Sequence, residues 1–140
     1  MKAPKRHNLP DYVELTDLVE TEVASVYFYG NLAVVEVSEG INLSYKNGFS
    51  LLLNGLRILG TKPWIYISNR VNSYSVDPND YKYLNNVPTL KGIAIVDAKE
   101  SGKVNAQLEG SFSKKPFKIF LSMVDAFEWA NTILYKNQAM

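Results

Sequence analysis

Cysteine does not occur in the 140-residue chain, and histidine occurs once, at His7. The first absence removes disulfides, thiolate metal sites and cysteine nucleophiles. The second leaves most zinc chemistry and the serine–histidine triad without ligands or base unless His7 itself serves. A surplus of charge is lacking too. Fifteen Lys and Arg against fourteen Asp and Glu leave a net +1, too little for a broad phosphate-binding face, so no nucleic-acid partner is expected. No stretch reaches the roughly 18 uninterrupted apolar residues of a membrane span. The basic start, Met1 to Asn8, is not followed by an apolar h-region and does not read as a secretory signal, so a cytoplasmic location is the default expectation. The phosphate-binding glycine motifs and the Gly-x-Ser-x-Gly elbow are missing as well. These absences predict a protein that is not an enzyme of the standard hydrolytic, redox or metal classes, with no cofactor, metal site or catalytic residue.

What remains is ordinary for one globular domain, with 46% hydrophobic residues and no repeat, low-complexity tract or long linker. The basic start predicts a flexible tail over residues 1–11, followed by a single domain over 12–140. Val23 to Tyr29 and Leu32 to Val37 read as strands joined at Gly30-Asn31, a two-residue hairpin signal. Tyr12 to Leu18 alternates and reads as a further edge strand. From Ser44 the period changes. Tyr45, Phe49, Leu52, Leu53, Leu56 and Leu59 follow helical spacing up to a stop at Gly60. Pro63 to Ile67 and Leu90 to Val96 read as strands, and Asp77-Pro78-Asn79-Asp80 as the start of a short helix between them. Val104, Leu108 and Phe112 mark the apolar stripe of another helix, and Phe117 to Leu121 a last strand. Ser122 with Asp125 caps a closing helix lined by Met123, Ala126, Phe127, Ala130, Ile133 and Leu134. Strands alternating with helices require crossovers, so the sheet is expected to be mixed: parallel in its later part and antiparallel at the hairpin.

Chemistry-bearing residues are scattered. Glu14, Asp17, Glu20, Glu22, Glu36 and Glu39 crowd the first forty residues, where they read as a solvated edge that discourages edge-to-edge pairing. One segment differs: Ser68-Asn69-Arg70-Val71-Asn72-Ser73-Tyr74-Ser75-Val76-Asp77. It leaves a mid-sheet strand at the end where α/β sheets place ligands, and it holds one of only three arginines, against twelve lysines. Arg70 is the candidate for gripping a carboxylate or phosphate with two parallel bonds. Asn72, Ser73 and Ser75 would orient the bound group, Tyr74 would cover it, and Asp77 would cap the helix and hold the loop. The plainer reading is that these polar side chains bond neighbouring backbone and only shape the loop. Tyr66, Tyr74, Tyr81 and Tyr83 crowd the same region and suit the lining of an apolar cleft or an interface better than a nucleic-acid platform.

The run Lys62 to Pro78 resembles a stretch of small uncharacterised Bacteroidetes proteins. Lys115 to Phe120 followed by Asp125 to Ala130 is similar to the strand-and-helix ending of STAS and SpoIIAA-like domains. The resemblance implies a single-layer mixed sheet of four to five strands with about four helices packed mainly on one side. It also implies a non-catalytic regulatory or protein-interaction module, or else a carrier holding a small apolar or lipid-like ligand between sheet and helices. The partner would be an unidentified protein or a small apolar or anionic ligand, and a homodimer is among the assemblies such a domain allows. Where the resemblance places a phosphorylatable serine, this chain has Asp77-Pro78-Asn79-Asp80.

Overall fold

The structure, a computed structural model, describes residues 7–72, 76–99 and 102–139. Six strands form one sheet: β1 (Asp17–Glu20), β2 (Ala24–Tyr29), β3 (Leu32–Val37), β4 (Trp64–Asn69), β5 (Leu90–Val96) and β6 (Phe117–Phe120). They lie side by side in chain order, with β1 to β3 antiparallel and β3 to β6 parallel. The sheet therefore has one strand more than the upper figure expected. Gly30, at φ 63°, turns the β2–β3 hairpin, a conformation an L side chain resists.

The parallel strands are joined by α1 (Tyr45–Leu59), by a 3-10 turn (Pro78–Asp80) running into α2 (Tyr81–Asn85), and by α3 (Lys103–Gly110). Each crossover advances one strand in the same direction, so right-handed connections put all three helices on the same face. There they meet Val26, Phe28, Ala33, Val35, Trp64, Ile93 and Ile95. The opposite face is covered by α4 (Met123–Ala139), which follows β6 and buries Ala126, Phe127, Ala130 and Leu134 against Tyr27, Val34, Ile65, Ile67 and Ala94, and by the segment that carries Leu9 and Val13. Helices thus cover both faces of β5, which accordingly reads Leu-Lys-Gly-Ile-Ala-Ile-Val, almost without polar interruption. Gly92 lets α4 come close. A Cβ there would stand 3.0 Å from Ile65 Cδ1 and 3.2 Å from both Trp129 and Ile133.

Two expectations need correction. The chain is not a loose tail as far as residue 11: from His7 it packs on the sheet face that carries α4, with His7 and Leu9 buried. The His7 ring lies 2.5 Å from the Tyr29 hydroxyl through Nδ1 and 2.7 Å from the Glu36 carboxylate through Nε2. The Asn69 amide donates to the same Glu36 oxygen at 2.9 Å, so Glu36 belongs to a packed network and not to a solvated edge. The second correction concerns α3. Its Val104–Leu108–Phe112 stripe faces solvent, and the helix instead buries Ala106 and Glu109. The reason is the Glu109 carboxylate, whose partner, Arg70, follows the last residue of β4.

Candidate functional site

Between the sheet and α1 lies a cavity of about 130 Å³. Val26, Ala33, Val35, Trp64 and Tyr66 form its floor, Leu43, Gly48, Phe49, Leu51 and Leu52 its roof, and Val76, Tyr83 and Leu84 close one end. Two small residues, Ala33 on β3 and Gly48 on α1, are part of this lining.

The roof is fastened at its N-terminal end. The Asp80 carboxylate accepts the Tyr45 N–H at 2.8 Å, Leu43 bridges to Val76, and the rings of Tyr45 and Tyr83 stack 3.9 Å apart. The Asn47 side chain accepts the Ser44 N–H at 2.8 Å, half of a capping box. At the other end of α1 the Gly60 N–H donates to Leu56 at 2.9 Å.

One wall of the cavity is polar. The Arg70 guanidinium donates through its two terminal nitrogens to the two Glu109 oxygens, at 2.6 and 2.5 Å, and both side chains are only 5% exposed. Arg70 Nε reaches the Ser68 hydroxyl at 3.3 Å, and the Tyr81 hydroxyl donates to Glu109 at 2.8 Å. Burial first, and the Glu109 charge second, push the Tyr81 phenol far above its ordinary range, so it stays protonated and serves only as a donor. No buried side-chain nitrogen or oxygen among the described residues lacks a partner. The wall is therefore satisfied from within, and the arginine's charge is already balanced.

Of the described loop candidates, Arg70, Asn72 and Asp77, Arg70 alone lines this cavity. Its fork does hold a carboxylate, but the carboxylate is Glu109 of the same chain. Asn72 donates to the Val37 carbonyl at 3.1 Å, and Asp77 caps the 3-10 turn by accepting the Asn79 N–H at 3.0 Å. Ser73, Tyr74 and Ser75 lie outside the described residues. Three of the four crowded tyrosines, Tyr66, Tyr81 and Tyr83, do line the cavity. Glu109 was not legible, because the apolar residues around it suggested a different buried face.

A second, wider groove of about 500 Å³ lies beyond the carboxyl ends of β4, β5 and β6, with His7, Asn69, Asp97, Lys99 and Ser122 along it. Four of its polar side chains are bonded within the chain: His7 and Asn69 by the Glu36 network, Asp97 by the Lys99 N–H and Ser122 by the Asp125 N–H. Among the described residues no cluster of three or more His, Asp or Glu could hold a metal ion, and no helix is long and apolar enough to cross a membrane.

A mixed sheet of this order, with three crossover helices on one face and a closing helix on the other, is the SpoIIAA-like α/β fold. The chain is similar to the crystal structure of an uncharacterised protein of the DUF3478 family from Shewanella loihica that has this fold. The TM-score is 0.53 at 14% identity, with 91% of this chain and 98% of that one covered. No family model matches the sequence, and no curated protein does.

Proposed function

We propose that this domain is a binding module that takes a small apolar group, the size of one aromatic ring or a short branched chain, between its sheet and α1. The observation that carries the reading is the cavity itself. A closed void of about 150 Å³ lined by Leu, Ile and Phe stays dry and accepts benzene or xenon; the cavity here is similar in size and apolar over its floor and roof, but it opens to solvent and has one polar wall. Its volume argues against a whole lipid. The closed Arg70–Glu109–Tyr81 network argues against an anionic ligand, since an anion would have to displace a buried carboxylate. Of the two roles the fold suggested, this supports the carrier over the module that shows a loop to a protein partner. A non-catalytic role is part of the proposal. Arg70, Glu109 and Tyr81 are bonded to one another, Asp80 accepts the Tyr45 N–H, and the protonated Tyr81 phenol is no base.

Benzene or 4-methylphenol, titrated in with detection by NMR, tests it. The Ala33 and Leu52 methyls and the Trp64 indole should shift saturably, with a dissociation constant on the order of 1 mM or tighter. Ala33→Leu fills the cavity from its floor and should abolish the shifts while leaving the fold intact. Unsaturable shifts, or equal binding by Ala33→Leu, would sink the proposal.

A further inference from the structure

We infer that the exposed shoulder of α1 docks on an anionic lipid surface. A helix turns by about 100° per residue, so Tyr45, Phe49 and Leu53 follow one another at about 40° steps and form a continuous apolar strip. The strip lies beside the line of Leu52 and Leu59 that meets the sheet, and its members are 38%, 41% and 41% exposed. Surface helices ordinarily turn such residues inward. Lys46 and Arg57, both exposed, come next around the helix, about 20–40° beyond Leu53. Ser50 and Asn54 complete the polar side, and α1 carries no Asp or Glu. An apolar strip flanked by cations, with no acid, is the composition of a helix that lies in a membrane interface.

Charge decides between occupants. A two-fold dimer would set this patch against its own image and bring Lys46 and Arg57 toward the same two charges of the second copy. An anionic lipid surface supplies the opposite sign at the depth the cations reach, and apolar volume for the strip. Lys82 adds a third cation at the same end. Its ammonium lies 5.2 Å from the ring of Tyr83, which stacks on Tyr45. Of the carboxylates at that end, Asp80 accepts the Tyr45 N–H and the exposed Asp77 accepts the Asn79 N–H. Tyr45 and Phe49 also line the cavity, whereas Leu53 and Arg57 do not, so variants at Leu53 and Arg57 test the surface separately from the cavity.

Sedimentation of the full chain with vesicles tests it, comparing phosphatidylcholine alone with phosphatidylcholine mixed with phosphatidylglycerol at low salt. Binding is expected to the mixed vesicles only, more weakly than the roughly 10⁴ M⁻¹ of a single myristoyl chain, and it should fall as salt is added. Arg57→Gln should weaken it about fivefold. Leu53→Glu should reduce it below detection, with circular dichroism showing an unchanged fold. Absence of binding to both vesicle types, or equal binding by Leu53→Glu, would overturn the inference. So would a concentration-dependent dimer that Leu53→Glu dissolves, which would assign the face to a second copy.

Discussion

Arg70 shows how far residue type alone carries an argument. Its guanidinium does what a bidentate fork is suited to do, but inside the molecule, tying α3 to the end of β4. That position turns it from a recognition group into a structural one with a measurable signature. Removing one member of a buried ion pair strands the other charge and costs about 3–5 kcal/mol. Arg70→Met should therefore lower the urea midpoint strongly. Adding Glu109→Gln should recover part of the loss, because the neutral amide still accepts the Tyr81 hydroxyl. A double variant less stable than Arg70→Met alone would show that the Glu109 charge is stabilised by something other than the arginine. Asp77, by contrast, does in the structure what its neighbours Pro78 and Asp80 suggested, because a cap is a local matter settled within three residues.

At the scale of elements, the legible parts were those whose cause is local. The β2–β3 hairpin lies within a residue of where Gly30-Asn31 places it, α1 starts after Ser44 and stops at Gly60, and β5 has the bounds its apolar run suggests. What escaped depends on residues far apart in the chain. The segment beginning at His7 looked loose because its neighbours are basic and polar. It is held by Tyr29 and Glu36, 22 and 29 positions away, which no periodicity signals. His7→Ala removes a partner from each of them and should cost about 1–3 kcal/mol, read as a fall in the urea midpoint. An unchanged midpoint would mean that the segment contributes nothing to the fold. The stripe of α3 misled for a related reason: a buried salt bridge overrode the preference of Val104 and Leu108 for the interior.

For the whole molecule, the alternation of strands and helices was enough to give the mixed sheet, and right-handed crossovers then fixed which face each helix takes. The edge strand read at Tyr12 to Leu18 lies later, at Asp17–Glu20, because β1 is four residues with a mostly exposed pattern that carries little hydrophobic signal to fix its bounds. The cavity was legible only as a cluster of tyrosines. Its lining comes from β2, β3, β4, α1 and α3 together, a relation that appears only when the chain is folded.

The roof of that cavity is also its weakest cover. α1 buries one residue fully, Leu59, contains two glycines, and rests over a void, whereas β4 and β5 are enclosed from both sides. Fluctuations that lift the helix should therefore be far more frequent than unfolding of the sheet. In amide hydrogen exchange, α1 should lose protection at a free energy well below that of the central strands, even though it is fifteen residues long. A ring-sized guest that fills the void should slow exchange in α1 and leave the rates in β5 nearly unchanged. If α1 exchanges as slowly as β5 without a guest, the helix is not a separable cover, and ligand entry must take another route.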